Sequence, residues 1–288
     1  MKQALNDLIK LIQVEQLDEK TFQGNSLDIG TGRVYGGQVL AQALKAAQIT
    51  VGDNKYIHSM HAYFLREGNH SIPISYQVDI SRNGKSFSTR RVTAFQNNRP
   101  IFITDLSFQI QETGLEFQSS IPGVPQPELI RKELETHGRI KFPDRLQNLV
   151  NLTAPFDLMP VLPTDNNKET DKIQYEKSVW IKTQHEIDND PDIHRALLAY
   201  ISDYGLVTTS LLPHKLEYDS PAMQLASIDH AMWFHRTFRV DEWLLYTCEP
   251  MSTSNARGLA QGRFFDREGR LVASTTQEGL IRQIKKGE

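Results

Sequence analysis

The chain has 288 residues, enough for one large domain or two modest ones. Hydrophobic residues at 39% and charged ones at 23% mark a globular composition, and a net charge of −3 without a long Lys/Arg run argues against a nucleic-acid partner. The single cysteine, Cys248, excludes an internal disulfide and fits a reducing compartment.

Residues 1–13 place Leu5, Leu8, Ile9 and Ile12 on one helical face. Lys and Asp interrupt any apolar run, so this is read as neither a signal peptide nor a membrane span. The final Lys285-Lys286-Gly287-Glu288 is not a peroxisomal tripeptide. A cytoplasmic protein without membrane insertion is expected. Thr21–Ile29 reads as a strand. Gly30, Gly32, Gly36 and Gly37 then bracket a turn into VYGGQVLAQALKAA, a segment apolar on nearly all sides and therefore a buried helix. Ile72, Ile74, Tyr76, Val78 and Ile80 alternate as in a half-buried strand. Arg82-Asn83-Gly84-Lys85 carries the strongest hairpin signal in the chain.

Composition changes near Glu112. From Gly114 to Asn167 there are scattered prolines and no sustained period, which reads as a linker with one short helix near Glu128–Glu135. The expected division is residues 1–112, a Pro-rich linker over 113–149, and residues 150–288. Structure resumes around Tyr175–Lys182, and Asp190-Pro191-Asp192 is a good helix start: a capping Asp, proline in the first turn, and acid at the positive end of the dipole. Ile193, Ala196, Leu197, Tyr200, Ile201 and Tyr204 form the apolar stripe of that helix. Strands fill most of the remainder, including Trp243–Glu249, where Cys248 is read as a packed thiol.

The two parts resemble each other. His58–Gly68 (HSMHAYFLREG) and Ser227–Arg236 (SIDHAMWFHR) each run apolar and aromatic after His-Ala. Each is preceded by a helical stretch, Gly36–Ala47 and Asp192–Tyr204. Each is followed by a strand pair with a polar turn, Asn97-Asn98-Arg99 in one and Arg267-Glu268-Gly269 in the other. Such a pattern suggests an internal duplication. Only the second half carries a polar constellation: Asp203, Ser227 and Gln277.

VYGGQVLAQAL, HSMHAYFLREG, GKSFSTRRVTAFQNNRPIF, ISDYG, SIDHAMWFHR, EWLLY and ASTTQEGLIR, in this order and spacing, resemble the acyl-CoA thioesterase II family over nearly the whole chain, most weakly in 113–175. The resemblance implies an α+β double hotdog, two tandem repeats in which an antiparallel sheet wraps a long helix. It also implies hydrolysis of fatty acyl-CoA to free acid and CoA. The family's catalytic trio falls on Asp203, Ser227 and Gln277, with Ser227 where many relatives carry Thr. Acyl-CoA is the expected partner, alongside a homo-oligomer (dimer or tetramer). No cofactor and no metal are expected.

The residue types fit that chemistry. Thioester hydrolysis needs a held water, a base for its proton, and donors where charge develops on oxygen. Asp203 can accept the proton, while a hydroxyl and an amide each donate and accept and so can fix a water. A backbone N–H near Gly36-Gly37 is the expected oxyanion donor. Read alone, Asp203 would be a solvated helix end near Gly205, and Ser227 and Gln277 ordinary strand residues. His58, His61, His230 and His235 lack a Cys or HExxH partner and read as structural. No Gly-x-Ser-x-Gly elbow supports a serine-hydrolase route. Two rivals stand beside hydrolysis: a hotdog enoyl-thioester hydratase or dehydratase, and a non-catalytic acyl-CoA-binding sensor. The first pairs an Asp with a His five residues on, where this chain has Thr208. The second usually adds a DNA-binding module, which is not apparent here.

Overall fold

A computed structural model describes residues 2–30, 32–52, 54–137, 155–161, 175–216 and 223–284. Thirteen strands among them join one sheet, in the order β1-β2-β4-β5-β6-β3-β10-β13-β12-β11-β8-β7, with β9 paired to β13. The first-half strands are β1 (Glu15–Gln16), β2 (Thr21–Gly24), β3 (Tyr56–Phe64), β4 (Ile74–Asn83), β5 (Phe87–Gln96) and β6 (Arg99–Gln109). The second-half strands are β7 (Phe156–Pro160), β8 (Lys177–Thr183), β9 (Met223–Ser227), β10 (Asp229–Phe234), β11 (Leu244–Ser254), β12 (Arg257–Phe265) and β13 (Leu271–Gln283). The helices are α1 (Lys2–Ile12), α2 (Gly36–Ile49), α3 (Pro127–His137), α4 (Pro191–Ser202) and the single turn α5 (Leu206–Thr209).

Apart from β9, the strand order is a palindrome about the β3–β10 contact, each half running two strands, a helix, then four more strands. The two His-Ala pairs mark the centre, with His61 opposite Ala231 and Ala62 opposite His230. The two halves thus have the same topology and meet through equivalent strands. This is the double-hotdog arrangement, and each half holds one of the two long helices.

Both helices are buried on nearly every side, α2 over Gly37–Gln48 and α4 over His194–Ser202. They lie side by side in opposite directions. The start of α2 touches the end of α4, where Tyr35 and Tyr200 meet edge to face at 5.0 Å, while Arg195 near the start of α4 lies 4.7 Å over Tyr56 beyond the end of α2. Gln42, which interrupts the apolar surface of α2, is latched. Gln42 Nε2 donates to Asn25 O at 2.8 Å and Gln42 Oε1 accepts from Tyr76 Oη at 2.6 Å, so burial leaves neither end unsatisfied.

Several elements differ from their sequence expectations. The strand expected over Thr21–Ile29 stops at Gly24. Residues 114–126 have no helix or strand, and α3 extends the short helix expected at 128–135. Strand β7 lies inside the Pro-rich stretch, where its short length and its Pro160 conceal the period of two. The described residues before it are docked as well. Trp180 Nε1 donates to Pro125 O at 2.9 Å, and Ile130, Met159, Trp180, Trp243, Leu245 and Phe265 form a second apolar cluster. Alternate residues of the same strands, such as Val179, Leu244 and Phe264, face the main core instead. These strands are therefore buried on both faces, which is why WLLY and SVWI read as continuous apolar runs. No helix among the described residues is long and apolar enough to cross a membrane.

Trp180→Ala is expected to destabilise the chain by about 3–5 kcal/mol in chemical denaturation. Because Trp180 faces away from α2 and α4, the folded fraction should keep the parent kcat within twofold.

Candidate functional site

Asp203 is placed by the way α4 stops. Asp190 caps its first turn by accepting from Asp192 N at 2.9 Å, and Pro191 needs no hydrogen-bonded N–H there. At the other end Asp203 takes a helical conformation (φ −77°, ψ −5°), and Gly205 turns the chain into α5 with φ +72°, a value suited to glycine. A carboxylate at this end opposes the helix dipole. Its side chain is half-buried and turned inward.

Three donors meet it. Gln277 Nε2 donates to Asp203 Oδ1 at 2.6 Å, and the Ser227 hydroxyl and the Gly37 N–H also bond the carboxylate. Ser227 is held beside Gln277 because it pairs with Gly279 across β9 and β13. The short link to β10 is pinned by Ile228 N to Glu278 O at 2.9 Å and Glu278 N to Asp229 Oδ1 at 2.6 Å. The residues singled out in the sequence, Asp203, Ser227 and Gln277, are thus brought together. Burial pushes the Asp203 carboxyl up to about 6, against the opposing pull of these hydrogen bonds and the Arg33 charge. Gln277 is fully buried, and its Oε1 has no protein partner among the described residues.

The Gly37 amide faces the Asp203 carboxylate. Both glycines let the helices approach: a Cβ on Gly37 would lie 2.0 Å from Tyr200 O, and one on Gly36 would lie 2.6 Å from Asp203 Oδ2. The adjacent Gly-Gly was the sequence signal for this contact. Arg33, Tyr35 and Phe64 carried no such signal, yet with Tyr204 and Lys177 they line a cavity of ≈ 380 Å³ that Asp203 and Ser227 also line. The three polar groups come from the second half, but the cavity belongs to both. The histidines are structural partners: His58 Nε2 lies 2.8 Å from Ser107 Oγ, His235 Nε2 lies 2.9 Å from Ser274 Oγ, and His230 Nε2 lies 3.0 Å from Ser202 Oγ.

The equivalent place in the first half is filled. Both second hairpins carry a register shift next to their turn, between Ala94 and Phe95 and between Phe264 and Phe265. Aligned on it, Leu106 corresponds to Gln277 and Arg90 to Ala260, since Arg90 pairs with Leu106 as Ala260 pairs with Gln277. Thr50, the residue capping α2, stands where Asp203 caps α4. The buried Arg90 donates to Thr50 Oγ1 at 2.7 Å, Thr50 O at 2.9 Å and Asn83 Oδ1 at 2.6 Å. A guanidinium thus occupies the first half's counterpart of the site.

Comparison with known proteins identifies the family of the chain. The family model described as acyl-CoA thioesterase matches residues 158–280, and that for the acyl-CoA thioesterase N-terminal domain matches residues 26–109. The chain is 38% identical to acyl-CoA thioesterase 2 of Haemophilus influenzae, covering 98% of this chain and 99% of that one. It is 36% identical to human acyl-coenzyme A thioesterase 8, covering 94% and 88%. The crystal structure of an acyl-CoA thioesterase II from Mycobacterium marinum superposes with a TM-score of 0.79 at 33% identity, covering 98% and 100%.

Gly36→Ala is expected to fold, because the new methyl meets side chains rather than backbone. It should shift the Asp203 carboxylate and lower kcat by about 10²-fold, the usual consequence of misplacing a reacting group by an ångström. Circular dichroism and steady-state kinetics on the same preparation check both halves of this statement.

Proposed function

The chain belongs to the acyl-CoA thioesterase family and hydrolyses acyl-CoA thioesters, and we propose that a water activated by Asp203, with Ser227 and Gln277, attacks the thioester directly. The observation that carries this reading is the Gln277 amide, whose Nε2 bonds Asp203 while its buried Oε1 has no protein partner. A water at this point gives one hydrogen to Asp203 and the other to Gln277 Oε1. One of its lone pairs is then left directed at the carbonyl carbon. Ser227, through its bond to the carboxylate, fixes the direction in which Asp203 accepts.

The steps balance. The water oxygen bonds the acyl carbon as its proton passes to Asp203; the C–S bond then breaks, and Asp203 returns that proton to the CoA sulfur. A base near 6 is ionised at neutral pH and loses little driving force in taking a proton. A carboxylate attacking by itself to form an anhydride has no use for Gln277 Oε1. The hydratase alternative lacks its histidine. The residue five beyond Asp203 is Thr208, whose hydroxyl donates to Gly205 O at 2.7 Å.

We further propose a cytoplasmic homo-oligomer, a dimer or tetramer. Its buried Cys248, whose thiol burial pushes up to about 12, is consistent with a reducing compartment and has no part in the chemistry.

Thiol release from palmitoyl-CoA, followed with a chromogenic reagent over a ladder of chain lengths, tests the activity, and binding without turnover would support the sensor. Asp203→Asn should lower kcat by about 10²–10⁴. Ser227→Ala and Gln277→Ala should be slower as well, and non-additive with it. For the parent, kcat/KM should rise with pH through about 6 as Asp203 ionises. The sign for stability is opposite. A carboxyl raised in the folded state stabilises the fold below its unfolded value, and that contribution is lost as pH climbs through about 6. The neutral Asn variant should therefore have a Tm at pH 8 no lower than the parent. In single turnover in ¹⁸O-water, label must enter the first fatty acid released, and label found in Asp203 instead overturns direct attack.

A further inference from the structure

Asp203 sits one residue beyond the end of a helix that its own charge disfavours, so its position depends on how that end is tied to the sheet. Ser202, immediately before it and fully buried, is the tie. Its hydroxyl donates to Ala199 O at 2.9 Å and therefore accepts from His230 Nε2 at 3.0 Å, which joins the helix end to β10. Its carbonyl accepts from Tyr246 Oη at 2.9 Å, which joins it to β11.

Tyr246 reaches further. Its single proton goes to the Ser202 carbonyl, so the Thr275 hydroxyl, 3.0 Å away, must donate to the phenol oxygen. Thr275 and Gln277 are alternate residues of β13, both buried on its inner face. One hydroxyl thus spans from the backbone next to Asp203 to the strand that carries Gln277. The ring is fixed independently, stacked on Phe264 at 3.9 Å with 4° between planes. Room for it is kept by Gly262, where a Cβ would lie 2.5 Å from the Tyr246 ring and 2.6 Å from Thr275 Oγ1.

We propose that Tyr246 is a positioning residue for hydrolysis: its hydroxyl, bridging Ser202 O and Thr275 Oγ1, sets the separation of Asp203 from Gln277. It touches neither substrate nor water and acts only through its neighbours. The proposal rests on Asp203 being the base.

Tyr246→Phe keeps the stacked ring and removes the bridge. The expected result is a fall in kcat of about tenfold with KM for acyl-CoA unchanged within twofold, the split left when only geometry at the reacting atoms is lost. The acid limb of the pH profile should move upward as well. Among the groups facing Asp203, Gln277, Ser227, Gly37 and Arg33 all favour its ionised form, against its burial, so a lengthened Gln277 bond makes the carboxylate easier to protonate. Thr275→Val, which cuts the bridge at its other end, should lower kcat in the same sense, and the double variant should be no worse than Tyr246→Phe alone.

A lower Tm with kcat and the acid limb unchanged would make the hydroxyl structural only and overturn the proposal, as would additive losses. Should Tyr246→Phe fail to fold, Thr275→Val decides by the same two readouts. Asp203→Asn is measured alongside. A nearly inactive Asn variant beside a fully active Phe variant rejects the role of Tyr246 alone, while a fully active Asn variant rejects the base on which it rests.

Discussion

The site depends on how closely the first turn of α2 approaches the last turn of α4. Two helices that cross with ordinary side chains keep their axes 8–10 Å apart. Here the Gly37 N–H bonds a carboxylate on the neighbouring helix end, and a Cβ at Gly37 would meet Tyr200 O at 2.0 Å. The unpaired amides of one helix start are thereby turned toward the carboxylate at the other helix end. The positive end of the α2 dipole offsets what the negative end of the α4 dipole would do to Asp203. Antiparallel packing is what allows this, and it follows from two equivalent halves meeting edge to edge through β3 and β10.

The same symmetry places two such contacts in the molecule, and the chain has resolved them differently. At one, Asp203 is buried with donors that are neutral, and its protonation is left adjustable. At the other, Arg90 is satisfied by Thr50, Asn83 and the Arg82 and Thr89 carbonyls, its hydrogen bonds stitching β5 to the end of α2. A buried guanidinium with that many acceptors is a structural solution, since leaving any of them out would strand a charge. On the reading proposed above, the acid beside an amide oxygen still unpaired is a functional one, because that arrangement favours a polar molecule that can donate.

How much of this could be read from the chain alone follows from the range of each interaction. The helices, the hairpins and their turns are local, and period and turn chemistry declared them: Asn97 and Asn98 both adopt the left-handed conformation that a tight hairpin turn requires. Strand β7 and the docking of residues 118–130 onto the second cluster were not legible, because short Pro-containing segments acquire their order from the surface they cover. At the site, Asp203, Ser227 and Gln277 stood out through the motifs around them. Arg33, Tyr35 and Phe64 did not, since nothing in a single chain says which loops of one half will line a cavity of the other. The glycines were noticed, but the contact of Gly37 with Tyr200 O was not. Sequence shows that a close approach is allowed there, not which group makes it.

A site so built works against the fold at one atom and with it everywhere else. Burying Asp203 disfavours its charge, and the compensation comes from hydrogen bonds whose donors are themselves anchored: Ser227 by pairing with Gly279, Gln277 by the middle of β13, Gly37 by the glycine contact between helices. None of these donors carries a full charge. A lysine or arginine set directly against Asp203 would hold it ionised more firmly but would drive its proton affinity down, leaving a poorer base. Neutral donors that are rigidly held keep the carboxylate both buried and basic. Rigidity there has to come from packing, which is why a buried serine carbonyl, a stacked tyrosine and two glycines belong to the same account as the three polar residues.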